Sequence, residues 1–150
     1  MTRRFRCLYW IQYLHWWIAV ALTVDERKIN ELTSFQYTGT LKDETDTVIP
    51  LADLTTLTLT IYNLATLAVI NSRSHQDIKN TNGGTFHATS GLLTMVFAPD
   101  DSPIIDGDLD FGEWEEHVAL FEWTWDSGAK GGNHQITLYV VNLGKVGTGL

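Results

Sequence analysis

Between His117 and Trp125 the chain reads His-Val-Ala-Leu-Phe-Glu-Trp-Thr-Trp, and that alternation leaves it little freedom. Successive side chains of a strand point to opposite faces. One face then carries Ala119, Phe121, Trp123 and Trp125; the other carries Val118, Leu120, Glu122 and Thr124. Aromatic and β-branched side chains fit a pleated, half-buried surface. We therefore expect a central strand of a β-sandwich with the aromatic face in the core. The glycine-rich Asp126–Asn133 turns the chain, and His134–Leu143 returns it as the partner strand of a hairpin.

The rest of the chain repeats this pattern in shorter pieces. Ser34–Leu41 alternates with Phe35, Tyr37 and Leu41 on one face. Thr47–Leu51 is a short extended piece, and Pro50 places it at an edge. In Leu54–Asn63, Leu57, Leu59 and Ile61 face one way, and Thr56, Thr58, Thr60 and Tyr62 face the other, as in a strand with one wet side. Leu67–Asn71 reads as a further strand, and Thr85–Ala88 with Gly91–Phe97 as a hairpin. Ala98–Ile105 leaves room for one helical turn. Asp25–Leu32 reads as a charged arm. Seven or eight short strands with no long amphipathic helix define an all-β fold, an immunoglobulin-like antiparallel sandwich, with a small barrel as the alternative. The antibody Cys–Trp–Cys pattern is absent, since Cys7 is the one cysteine.

At 150 residues the chain is one domain by length. A chain of this size buries roughly 68–70% of its unfolded surface and needs no disulfide. We divide it into an apolar segment 1–22, a sandwich 23–146 and a glycine-containing tail ending at residue 150. Residues 1–21 carry Arg3, Arg4 and Arg6 and no acid, whereas residues 22–150 hold 7 Lys/Arg against 18 Asp/Glu, a balance of −11. That acidity disfavours phosphate backbones and favours protein neighbours. Cys7–Leu22 is almost wholly apolar or aromatic, and three readings fit it. A signal peptide would end at Ala19–Val20–Ala21. A membrane anchor would be short for the roughly twenty residues of a span. Our expectation is the third, a true start near Val20, whose valine is what an internal GTG start codon gives when translated from upstream. Membrane contact is expected only if residues 1–21 are native.

No catalytic constellation emerges. His15, His75, His87, His117 and His134 lack the short spacings of metal sites. His117 and His134 could face each other across the hairpin with Glu122 near, as an acid–base set; a cross-strand polar pair is the plainer expectation. Asp106–Glu113 alternates carboxylates of the kind calcium takes, yet Phe111 and His117 stand where an EF-hand needs Gly and Glu. We read it as a solvated acidic connection. The threonine stripe of Leu54–Asn63 invites an ice- or sugar-binding reading, but threonine is an ordinary outward strand residue. Trp114, Trp123 and Trp125 could form a sugar platform; Trp123 and Trp125 fall on the core face, leaving Trp114 as the exposed aromatic. Nucleophile-elbow, phosphate-loop and dinucleotide patterns are absent. We expect no enzyme, no catalytic, cofactor or metal residues, and no cofactor.

Several stretches resemble small tailed-phage virion proteins: Leu22–Glu26, Thr40–Glu44, the run Ile49–Tyr62, His117–Trp125 and the closing Val140–Leu143. The family they resemble is the N-terminal immunoglobulin-like domain of phage baseplate upper proteins, over about residues 22–146. The resemblance implies a virion assembly module with no catalytic residues to carry over. Baseplate upper proteins carry further domains, so a single-domain chain leaves its place in the particle open among baseplate or tail, head–tail junction and capsid surface. The partners implied are other virion proteins, in multiple copies or as a homo-oligomer, with no nucleic acid. Docking would use an exposed edge strand added to a partner's sheet. The alternative is an exported β-sandwich binding module, carbohydrate-binding in one version, carried to the periplasm or outside by residues 1–21.

Overall fold

The computed structural model describes residues 24–144. The expectations placed on segment 1–22 and on the tail 147–150 lie outside the described residues. Eight strands follow in order: β1 Val24–Asn30, β2 Phe35–Thr40, β3 Leu54–Asn63, β4 Gln76–Asp77, β5 Gly84–Phe86, β6 Leu92–Phe97, β7 Trp114–Trp125 and β8 Lys130–Val141. A single 3-10 turn, Pro99–Asp101, occupies the space left for a helical turn. The strands form two sheets, β1-β8-β7-β3-β4 and β2-β6-β5, packed as the expected sandwich. The run His117–Trp125 falls within β7, the middle strand of the larger sheet.

The alternation pattern places the core. Leu57, Leu59 and Ile61 of β3 meet Ala119 and Phe121 of β7 and Ile136, Leu138 and Val140 of β8, all at most 2% exposed. Facing them from the smaller sheet are Tyr37, Phe86, Leu93, Met95 and Phe97. Phe97 meets the Phe121 ring edge-on with centroids 6.4 Å apart, and Phe35 stacks on Phe97 at 4.3 Å. Each such side chain taken fully from water contributes about 1.5–3 kcal/mol. Trp123 and Trp125 are half-buried and pack against this core from one end. Opposite Trp123 the strand carries Gly132, where a Cβ would lie 2.7 Å from the indole ring. The indole lies flat there because that position has no side chain.

Three local expectations are corrected. The charged arm Asp25–Leu32 is instead β1, paired in parallel with β8 from Val24↔Gln135 to Asn30↔Val141. Its alternation serves as an edge: Ile29 packs toward the core while Glu26 and Lys28 stand exposed, and charge is what edge strands use against unwanted pairing. Leu67–Asn71 is not a strand. Positive φ at Leu67 (59°) and Asn71 (49°) breaks it, leaving one bridge between Tyr62 and Val69. The turn of the main hairpin is shorter than expected, with β8 already paired at Lys130 opposite Trp125. Glycines 131 and 132 therefore sit in the strand rather than the loop.

Candidate docking site

At one end of the sandwich β3, β8 and β1 finish and β7 begins, with Asn63 opposite His117, and Trp114 beside Val141 and Asn30. Large apolar side chains gather here without cover. Leu64, Leu67 and Val69 come from the β3–β4 loop, Ile105 and Phe111 from the β6–β7 loop, Trp114 from the start of β7, and Leu32 and Leu143 from the ends of β1 and β8. Phe111 is 76% exposed and Trp114 52%. Among the described residues only Leu92 and Val96, on the outer face of β6, are comparable apolar side chains exposed elsewhere. Leu64, Ile105 and Trp114 line one groove together, and contiguous apolar exposure marks interaction sites on soluble proteins.

Buried polar groups hold this end rigid. Glu115, 8% exposed, accepts the backbone N–H of Ile105 at Oε1 and that of Asp106 at Oε2, each at 2.9 Å. The Nε2–H of His117 donates to the same carboxylate at 2.5 Å. His117 is fully buried, and its Nδ1 has no partner. Burial pushes its pKa below the ordinary 6.5 against the upward pull of Glu115. The neutral ring with its proton on Nε2 therefore fits: it feeds the carboxylate and leaves Nδ1 a bare acceptor, which costs less than a stranded proton. Asn63 Oδ1 accepts from the N–H of Ala65 (3.0 Å) and Thr66 (2.9 Å), forming the turn that presents Leu64. Asn142 donates through Nδ2 to the Leu109 carbonyl at 2.7 Å, and its own carbonyl accepts from Gly112 N–H at 2.7 Å. The β6–β7 loop is thus fastened at both flanks, and it stands as a ridge between two grooves. One, of about 750 Å³, runs between Leu64, Ile105 and Trp114. The other, of about 340 Å³, lies between Ile104, Phe111 and Glu31.

The rim is acidic. Asp106, Asp108, Asp110 and Glu113 are exposed on the ridge, and Glu31 and Glu116 are half-buried beside it. The cation placed against this end is Lys28, 5.6 Å above the Trp114 ring.

His117 lies opposite Leu138 and His134 opposite Phe121, so the two imidazoles do not pair. They sit about 13 Å apart along the sheet at the usual strand rise. His134 stacks on Tyr37 at 5.8 Å instead, and burial lowers its pKa against the pull of Asp25. Glu122 is on the opposite face, 3.4 Å from His75. No acid–base set is assembled from these three. The threonine stripe faces outward as expected, and its hydroxyls serve the fold: Thr56 meets Thr124 at 2.7 Å, and Thr60 accepts from His75 N–H at 3.0 Å. Among the described residues Trp114 is the tryptophan that stands exposed, and it shares no platform with Trp123 and Trp125, which lie at the other end of β7. Among the described residues no group of three or more His, Cys, Asp or Glu side chains converges as metal ligands. Glu115, Asn63 and Asn142 do not stand out in the sequence. Their signal was a carboxylate or amide at the boundary of an alternating run, on the face reserved for apolar residues.

No protein-family model matches the chain, and no curated protein matches it.

Proposed function

We propose that this protein is a non-enzymatic structural component of a bacteriophage particle, acting by docking on another virion protein. The observation that carries the docking part is the end at which, among the described residues, uncovered apolar side chains collect on a β3–β4 turn held by Asn63 and a β6–β7 loop held by Glu115 and Asn142. A rigid apolar end on an otherwise charged sandwich buries surface on association with little ordering cost. The free edge of β1, with Asp25, Glu26, Arg27 and Lys28 in succession, is a poorer docking element than edge addition requires. The phage part rests on the resemblance of Ile49–Tyr62 and His117–Trp125 to baseplate upper domains. The 18 Asp/Glu oppose contact with packaged nucleic acid. Baseplate or tail, head–tail junction and capsid surface are all compatible with this chemistry.

Proteomics of purified particles tests it. The protein should appear in fixed ratio to the major structural proteins. Its absence from particles, with recovery from the host envelope or culture medium, would replace this reading with an exported binding module. One observation favours that second reading: a cleft of about 300 Å³ at the other end of the sandwich, lined by Tyr37, Trp123 and His134, has the aromatic walls a sugar ring stacks on.

A further inference from the structure

We infer that the end built on Glu115 and His117 accepts a segment of a different protein in which an apolar anchor is flanked by Lys or Arg. This rests on the docking reading above and names the partner's chemistry. The grooves beside the ridge are wide enough for side chains, and Leu64, Trp114 and Phe111 supply the uncovered apolar contact. Around them Asp106, Asp108, Asp110 and Glu113 form a rim of one sign. Bringing an acidic or neutral partner there desolvates these carboxylates with nothing in return, whereas a basic flank gains charge-assisted hydrogen bonds.

A second copy of the sandwich does not supply that flank. Each Lys and Arg among the described residues is already engaged: Arg27 with Asp25 and the Tyr37 ring, Lys28 over Trp114, Lys42 with Asp46, Arg73 with Asp101, Lys79 with the Leu54 carbonyl, and Lys130 with Glu44. The far end of the sandwich sets Asp43, Asp53 and Asp126 beside Lys79 and Lys130, and both lysines are held by their own neighbours, so end-to-end stacking of two sandwiches gains little from charge. The basic flank therefore comes from outside the described sandwich: from another protein, with the chain's own Arg3, Arg4 and Arg6 as the competing source that removal of residues 1–22 tests.

The full chain tests this with two synthetic peptides of about twelve residues, each with a Trp-Leu-Val centre, one flanked by Lys and one by Glu. Titration is followed by calorimetry and by amide and indole NMR shifts. The Lys-flanked peptide should bind at least ~10-fold tighter than the Glu-flanked one, a difference of about 1.4 kcal/mol. Its affinity should fall with salt, and the shifts should centre on Gly107, Gly112 and Trp114. Leu64→Asp with Phe111→Asp should cost ~10-fold or more, and these exposed side chains leave the core untouched. Asp106→Asn with Asp108→Asn and Asp110→Asn should erase the preference for Lys while keeping the loop's hydrogen-bonding oxygens. Equal binding of both peptides, shifts confined to the β1 or β2 edge, or indifference to both sets of variants would overturn the assignment. So would self-association of the full chain that is lost when residues 1–22 are removed and that shifts the same amides, since the occupant would then be the chain's own Arg3–Leu22. A negative peptide result with the protein present in particles would leave the virion reading standing, and the reverse pattern would remove only the virion reading.

Discussion

At the scale of single residues, burial decides what each side chain contributes. Phe121 is 2% exposed and touches Tyr37 and Phe97, whereas Trp123 on the same face is half-buried and its Nε1–H finds no partner. Phe121→Ala should therefore cost about 3–5 kcal/mol, and more than Trp123→Ala. Thr58→Ala on the outer face should cost under about 1 kcal/mol. Urea unfolding of the three variants checks the order; a loss at Thr58 equal to that at Phe121 would refute the face assignment. His117 makes a prediction about pH. Its folded pKa lies below the ordinary 6.5, so the unfolded chain takes the proton first on acidification. The stability this ring contributes is complete above about pH 6.5 and is lost as pH falls from there toward the folded value. His134, lowered in the same direction, adds to the effect. The urea midpoint should drop between about pH 7 and pH 5.5, and His117→Gln should flatten that slope. An unchanged slope would show that other groups govern it.

At the scale of elements, the first flank of the β6–β7 loop depends on one carboxylate. Glu115→Ala removes the acceptor of two backbone N–H groups and of His117. Hydrogen exchange at Ile105 and Asp106 should accelerate by ~10-fold or more, as expected when a loop opens locally rather than with the whole fold, while amides of β3 and β8 keep their protection. Uniform acceleration across the molecule would place Glu115 in global stability instead. How far the elements were legible follows from the same chemistry. β3 announces itself because it alternates apolar and polar residues for a full strand length, and β7 because its run from Val118 to Trp125 is dense in apolar and aromatic residues. β1 did not, because an edge strand with Asp25, Glu26, Arg27 and Lys28 shows its partner in β8 and not in its own hydropathy. Leu67–Asn71 misled in the opposite sense: Leu67 and Val69 stand exposed and Ile70 plugs into the core from a loop, so its apolar residues do not line a strand. The docking end was illegible for a further reason. It is assembled from four separate boundaries of strands, and no single window of sequence contains it.

At the scale of the whole molecule, charge is lopsided. All 18 acids lie among the described residues, where the ten Lys and Arg are reduced to six by the exclusion of Arg3, Arg4, Arg6 and Lys145. Self-repulsion of this kind weakens a compact state and is screened by ions. The urea midpoint should rise when NaCl goes from about 0.02 M to about 0.3 M, over which the Debye length falls well below the molecular diameter. A falling midpoint would mean that ion pairs such as Lys130–Glu44 outweigh the repulsion.

The parallel pairing of β1 with β8 has a mechanical meaning. The chain enters the sheet at Val24 at one end and leaves it after Val141 at the other, in neighbouring strands running the same way. A pull applied through the two ends of the chain acts along these strands. It strains every register pair from Val24↔Gln135 to Asn30↔Val141 at the same moment, in shear, instead of peeling them one by one. Under a pulling instrument the domain should yield in a single high-force event, and a proline at Arg27 or Lys28 should lower that force. A gradual, low-force release would show that the load path bypasses this seam. Built into an assembly through its two termini, such a domain would transmit tension as a stiff link.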